Sequence, residues 1–254
     1  PTMNKEMSGI IHSYETLGAA DGPGLRFVLF FQGCDLRCKY CHNPDTWRKF
    51  DKNDLPREGA IKVTAEEIAA EVLKYKNYFG KRGGFTASGG EPLLQIDFLT
   101  ELLKLLKQNG IHTAIDTSGA DYSDDDPRYC DLLKYTDLVL LDVKHIDDEE
   151  CKKLTGKTNA NFFRFAKRLE REKIPVWIRQ VLVPGLTDDD QSLKKTRLFI
   201  DGLKNVEKVE VLPYHTLGKS KYDKLGIPYS LNGVPVPSRE QIEKAKKILT
   251  GCNK

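Results

Sequence analysis

Six apolar, β-rich runs, each followed later in the chain by a helical stretch, constrain this sequence more than any other feature it has. The runs cover residues 25–31, 84–88, 113–117, 138–143, 176–183 and 208–212, each too short for a buried helix and rich in the residues that favour strands. Helical spacing follows at about 64–79, 96–109, 127–134, 159–173, 189–203 and 238–250. Thr64 and Glu67 open the first of these as a capping box, and Gly110 sits where a helix C-terminus favours glycine. Strands alternating with helices predict a parallel sheet covered on its faces. Eight such units in about 250 residues close a barrel. Six units plus one long loop therefore predict an α/β fold, a partial (β/α)6 barrel of the TIM type. No interdomain linker interrupts the alternation, so residues 1–254 read as one domain with its core at about 25–215, an N-terminal extension and a C-terminal helix. A barrel short of two units leaves a lateral gap, wide enough for a loop of another protein to reach the interior.

The loop after the first strand carries Cys34, Cys38 and Cys41 in the stretch Gly33-Cys34-Asp35-Leu36-Arg37-Cys38-Lys39-Tyr40-Cys41-His42-Asn43. Three thiolates at this spacing suit one iron–sulfur cluster, and no fourth cysteine lies nearby. A four-iron cube would keep one iron without a protein ligand. Such an iron binds a small molecule directly, which marks the loop as catalytic.

Other uses of cysteine fit less well. Structural zinc wants four tetrahedral ligands, and the only nearby histidine, His42, follows Cys41 directly. Cys38-Lys39-Tyr40-Cys41-His42 matches the covalent haem pattern, but no export segment precedes it, and the only methionines, Met3 and Met7, come shortly before it. Six cysteines in 254 residues is sparse usage, and Cys130, Cys151 and Cys252 are scattered singly. They read as ordinary core or surface residues of a reduced, cytoplasmic protein. Residues 1–8 read as a frayed end without targeting logic. The absence of any apolar run of eighteen residues argues against a membrane span. Net charge is only +3, and lysines alternate with acids, as in 240–247, so no nucleic-acid groove is expected.

Polar residues cluster at the strand ends, where chemistry gathers in barrels of this class. The ends carry Cys34, then Ser88-Gly89-Gly90-Glu91-Pro92, Asp116-Thr117-Ser118-Gly119, Asp142-Val143-Lys144, Arg179 with Val183-Pro184-Gly185, and Pro213-Tyr214-His215. Each also has a plain structural reading. Gly89-Gly90 suits a turn needing positive φ, Asp116 and Asp142 suit helix caps, and Lys144 and His215 suit solvated positions. Taken together, an acceptor, a cation and a glycine-lined backbone suit a small ligand bearing an amine, a carboxylate and a ribose.

The spacing Cys34-x3-Cys38-x2-Cys41, with Tyr40 before the last cysteine and Ser88-Gly89-Gly90-Glu91-Pro92 downstream, resembles the radical S-adenosylmethionine superfamily. Asp21-Gly22-Pro23-Gly24-Leu25-Arg26, Phe31-Gln32-Gly33-Cys34, Tyr40-Cys41-His42-Asn43-Pro44-Asp45-Thr46-Trp47 and Leu212-Pro213-Tyr214-His215-Thr216-Leu217-Gly218 narrow the resemblance to the pyruvate formate-lyase activating enzymes, over about 9–250. The resemblance implies a [4Fe-4S] cluster on Cys34, Cys38 and Cys41, and S-adenosylmethionine bound against Gly89, Gly90 and Glu91. Tyr40, Asp116, Lys144, Arg179 and His215 would complete the cofactor pocket. Asp116 and Asp142, with backbone oxygens of Thr117 and Leu140, would hold a monovalent cation, Na+ or K+, by oxygen ligation. Asp21 would hold the glycine loop of the partner, pyruvate formate-lyase, although a plain turn explains it too. A flavodoxin or ferredoxin would supply electrons, and the chain would act as a monomer.

Two rivals differ from this reading. Activases of glycerol dehydratase type often carry a cysteine-rich insertion, whereas residues 47–63 contain no cysteine. An iron–sulfur electron carrier expects four cysteine ligands and has no use for an open iron.

Overall fold

A computed structural model describes residues 7–50 and 59–251. Its eight strands are β1 (Ser8–Gly18), β2 (Arg26–Phe31), β3 (Ile61–Thr64), β4 (Gly84–Gly89), β5 (His112–Thr117), β6 (Leu138–Asp142), β7 (Val176–Leu182) and β8 (Val206–Pro213). They form a mostly parallel sheet in the order β3-β1-β2-β4-β5-β6-β7-β8, with β3 and β8 as edges. The six strands expected from the sequence are β2 and β4 to β8.

Among the described residues eight α-helices accompany them: α1 (Ala65–Leu73), α2 (Ile96–Gln108), α3 (Arg128–Lys134), α4 (Asp148–Thr155), α5 (Ala160–Arg171), α6 (Asp190–Asp201), α7 (Lys219–Leu225) and α8 (Arg239–Thr250). Among the described residues, no helix is long and apolar enough to cross a membrane.

The chain divides into two compact units. The first holds the described residues of Pro1–Cys34, Thr46–Thr117 and Asp124–Leu140. Here β1 pairs antiparallel with both β2 and β3, while β2, β4 and β5 run parallel, with Phe27 opposite Phe85 and Phe85 opposite Thr113. Phe27, Val28 and Leu29 of β2 are fully buried, as are Leu99, Leu102, Leu103 and Leu106 of α2. Their spacing puts the α2 leucines on one face, and each buried side chain contributes about 1.5–3 kcal/mol. The capping box forms as expected, with Glu67 N–H donating to Thr64 Oγ1 at 3.2 Å and Thr64 N–H to Glu67 Oε2 at 2.7 Å. Gly110 takes φ +71° just past α2, the conformation its position predicted. In contrast, α1 stops at Leu73 rather than near Phe79. Tyr75 sits at φ −99°, ψ 0°, and the chain tightens into a single turn, Lys76–Tyr78, before β4.

The second unit holds the described residues of Asp35–Asp45, Ser118–Ser123 and Leu141–Lys254. Its β7 and β8 pair in parallel with Arg179 opposite Glu210. Phe165, Leu169, Ile178, Leu182 and Val183 form its fully buried interior. Four elements were not expected from the sequence: β1, β3, α4 and α7. Of the isolated cysteines, Cys130 is exposed and Cys151 is buried in α4, whereas Cys252 lies outside the described residues.

Candidate active site

In the first unit, β2 delivers the chain into Gly33 and Cys34. Gly33 takes φ +101° and its N–H donates to Thr46 O at 2.8 Å, while Cys34 N–H donates to Trp47 O at 3.3 Å. The neighbouring strand β4 ends at Gly89, φ +102°, where a Cβ would lie 2.5 Å from Phe31 N. At Gly90 a Cβ would overlap the Gly33 carbonyl oxygen. Close approach of two backbones therefore requires both glycines, but only Gly89 takes the positive φ that the turn reading expects. The approach lets Gly90 N–H reach Phe31 O at 2.9 Å and Glu91 N–H reach Gly33 O at 2.8 Å. Glu91 is thereby fixed beside the residue that precedes Cys34.

Glu91 is only 2% exposed. Its Oε1 accepts from Thr117 Oγ1 at 2.6 Å and from Leu93 N–H at 3.2 Å, capping the short turn Pro92–Gln95. The sequence singled out the backbone of Thr117 and missed this hydroxyl; a threonine ending the strand next to the one that leads into the glutamate-bearing loop was the available signal. Asp116 Oδ2 accepts from Ser88 Oγ at 2.9 Å. The helices after β5 and β6 take Pro127 and Asp147 at their N-termini, so neither Asp116 nor Asp142 is a helix cap. Leu140 is fully buried in β6.

Asp21 lies in a turn anchored from below. Its carbonyl accepts from Thr86 Oγ1 at 2.7 Å, and Thr86 Oγ1 in turn accepts from Arg26 Nε. Arg26 Nη1 donates to Pro23 O at 3.1 Å. The guanidinium is fully buried, and desolvation lowers its pKa to about 10. The Asp-Gly-Pro-Gly turn is thus a built feature, and Asp21 in it is half-buried.

In the second unit, the cysteine loop hangs from the end of α4. Arg37 N–H donates to Thr155 O at 2.8 Å and Lys39 N–H to Leu154 O at 2.9 Å, which satisfies carbonyls a helix C-terminus leaves open. Cys41 N–H closes a turn on Cys38 O at 3.0 Å. Burial pushes the Cys38 thiol up to about 12. The Tyr40 hydroxyl is also raised by burial, and Lys144 Nζ lies 5.8 Å from the centre of the Tyr40 ring. Burial opposes the Lys144 charge, yet Asp142, whose Oδ2 is 2.8 Å from Nζ, outweighs it and raises Lys144 well above its ordinary value. Asp142 Oδ1 is buried without a hydrogen-bond partner. Arg179, 7% exposed, faces Glu210 at 3.6 Å. His215 is exposed and meets the His42 ring edge-on, centroids 4.6 Å apart. His42 is lowered by burial and next by His215.

These groups fit the cofactors that the resemblance implies. Thiols at Cys34, Cys38 and Cys41 are the donors an iron–sulfur cluster takes. Among the described residues, no three His, Cys, Asp or Glu side chains gather as ligands of a single ion; a cube asks each thiolate for a different iron, which needs a wider spacing than zinc. A buried carboxylate oxygen without a donor, as on Asp142, suits a hard cation.

Comparisons with known proteins point the same way. The family model described as the radical SAM superfamily matches residues 28–196. The chain is 52% identical over 247 residues to the pyruvate formate-lyase-activating enzyme of Staphylococcus epidermidis, covering 96% of each chain. It is 50% identical over 242 residues to the enzyme of the same name from Clostridium pasteurianum, covering 95% of this chain and 97% of that one. Among solved structures, a domain of pyruvate-formate lyase-activating enzyme from Bacteroides vulgatus superposes with a TM-score of 0.55 at 29% identity, over 66% of this chain and 94% of that domain.

Proposed function

Since the chain belongs to the radical SAM superfamily, and within it to the pyruvate formate-lyase-activating enzymes, we propose that it converts a pyruvate formate-lyase into its glycyl radical form. When bound, a [4Fe-4S] cluster with S-adenosylmethionine supplies reductive cleavage to a 5′-deoxyadenosyl radical, which takes the α-hydrogen of one glycine of the partner.

The residues of the chain bind, orient and hold charge. Cys34, Cys38 and Cys41 each give one thiolate to the cluster. Glu91, steered by Thr117 and the Leu93 amide, accepts from the amine of the methionine moiety. Gly89 and Gly90 present backbone to the same moiety. Lys144, held protonated by Asp142, faces the anionic end of the ligand, and Tyr40, Arg179 and His215 line the remainder of the pocket. Asp116 and Asp142, with the carbonyls of Thr117 and Leu140, hold Na+ or K+. Asp21 receives the glycine loop of the partner. A flavodoxin or a ferredoxin delivers the electron, and the protein works as a cytoplasmic monomer.

The observation that carries this reading is the three-cysteine loop, whose donor set leaves one iron of a cube to a small molecule. The test is to reconstitute the cluster without oxygen, reduce it, and add S-adenosylmethionine with pyruvate formate-lyase. The expected products are 5′-deoxyadenosine and a glycyl radical signal by electron paramagnetic resonance. Absence of the nucleoside with every partner removes the enzyme reading. Nucleoside without a radical on pyruvate formate-lyase, but with one on a glycerol dehydratase, reassigns the partner.

A further inference from the structure

The exit of the cysteine loop is held by a part of the chain that the proposed chemistry leaves unused. Tyr222, in α7, is 1% exposed, and its hydroxyl donates to the backbone oxygen of Cys41 at 3.0 Å. Beside it, Lys221 Nζ reaches Asn43 Oδ1 at 2.8 Å and Asp45 Oδ2 at 2.9 Å. Gly218, just ahead of α7, packs so closely on His42 that a Cβ would lie 2.9 Å from its ring and 3.0 Å from its carbonyl oxygen. Four successive contacts therefore run from one short segment, 218–222, to the stretch 41–45.

The segment is itself braced. The Tyr222 ring meets Tyr229 with centroids 4.9 Å apart, and Tyr229 shares a 2.6 Å hydroxyl contact with Tyr214. Tyr214, 3% exposed, follows β8 and donates its N–H to Leu182 O of β7 at 3.1 Å. A line of three tyrosines thus ties the Cys41 carbonyl to the strands.

We propose that Tyr222 and Lys221 form a clasp that positions Cys41 as a ligand and tunes the cluster it holds. Both are positioning residues that act through the loop they hold. A donor aimed at the carbonyl of a ligand residue places the positive end of its dipole near the cluster, which favours the added electron. Loss of this buried hydrogen bond also costs the Cys41 carbonyl a donor and leaves the loop looser.

The inference rests on Cys41 being a cluster ligand, and the test keeps the two readings apart. Tyr222→Phe and Lys221→Met are prepared alongside the unaltered protein, and all are loaded with iron and sulfide. Two quantities are then read: the rate of iron release to a chelator and the midpoint potential of the cluster. Tyr222→Phe should release iron about 5 to 30 times faster, the ratio that corresponds to about 1–2 kcal/mol, with a more negative midpoint. Lys221→Met should also speed release. An unchanged release rate, or an unchanged midpoint in Tyr222→Phe, overturns the clasp while leaving the cofactor assignment intact. If Tyr222→Phe does not fold, Lys221→Met decides alone, and iron release at the normal rate from it overturns the proposal. Failure of the unaltered protein to assemble any cluster overturns the parent reading and the clasp with it.

Discussion

Lys144 Nζ lies 2.8 Å from Asp142 Oδ2, while the other oxygen of the same carboxylate is buried with no hydrogen-bond partner. One oxygen of Asp142 is neutralised by Lys144, and a buried carboxylate oxygen without a donor costs about 1–3 kcal/mol. Na+ or K+ should therefore raise the melting temperature at fixed ionic strength, where tetramethylammonium does not. At about 100 times its dissociation constant, the cation would add about 2.7 kcal/mol. Asp142→Asn should lower the starting stability, because Lys144 loses its counter-charge, and should abolish the response. Equal melting curves in all three salts would remove the cation assignment.

Gly90→Ala tests the close approach of β4 to the cysteine strand. The clash falls on the Gly33 carbonyl, which is backbone and cannot rotate away. The substitution should cost about 1–3 kcal/mol by overpacking and should impair iron loading as Glu91 is pushed off its anchor. Gly110→Ala is the comparison: no atom lies within 4 Å of its Cβ, so only its φ of +71° is strained, at about 1–2 kcal/mol. Urea unfolding and iron content separate the two, and normal loading by Gly90→Ala would contradict the anchor.

Asp21→Asn asks whether the carboxylate or only the turn matters. Thr86 holds the backbone oxygen of Asp21 and Arg26 holds Pro23, so the turn survives the change. Half-saturation for pyruvate formate-lyase should rise about tenfold, equal to about 1.4 kcal/mol, with partner-free cleavage of S-adenosylmethionine unchanged. Equal loss of both activities would assign Asp21 to the cofactor instead.

His112 makes a prediction about acid stability. Burial lowers its pKa first, the nearby Arg26 lowers it further, and Asp137 partly offsets both. Below the ordinary histidine value of about 6.5, the unfolded chain takes up a proton that the folded one resists. Stability is therefore full above that value and falls as pH drops through it toward the lower folded-state value, by about 1.4 kcal/mol per unit of difference. His112→Gln should flatten the urea-unfolding free energy between pH 7.5 and 5.0. Some slope should remain from His42, which is lowered too. An unaltered slope would show that His112 titrates freely.

Much of this was legible in the sequence, for physical reasons that also explain what was not. The β2, β4, β5, β6, β7 and β8 runs are apolar and bounded by turn residues, and α1, α2 and α8 announce themselves by caps or by leucines on one face. The first strand mixes His12, Ser13, Glu15 and Thr16 among its apolar residues and carries register shifts against β2, so no clean alternation marks it. In α7 only Tyr222 is buried, too little to show a helical stripe. A charge pattern would have exposed α4: Asp148, Glu149 and Glu150 in its first turn, Lys152 and Lys153 in its last, and Gly156 as its cap. Missing α4 and α7 hid what holds the loop, because side chains that grip a backbone carbonyl leave no spacing rule in a sequence. Gly89 and Gly90 were legible as residue types, but only the Phe31 and Gly33 backbones explain them.

Hanging the loop from α4 has an electrical consequence. The amide hydrogens of Arg37 and Lys39 go to helix carbonyls, and that of Cys41 goes to Cys38 O, so these three are withheld from sulfur. Amide donors turned toward cluster sulfurs make an iron–sulfur centre easier to reduce. A loop that gives its Arg37 and Lys39 amides to a helix end would hold a centre harder to reduce, and so one better able to pass an electron to an acceptor as reluctant as a sulfonium.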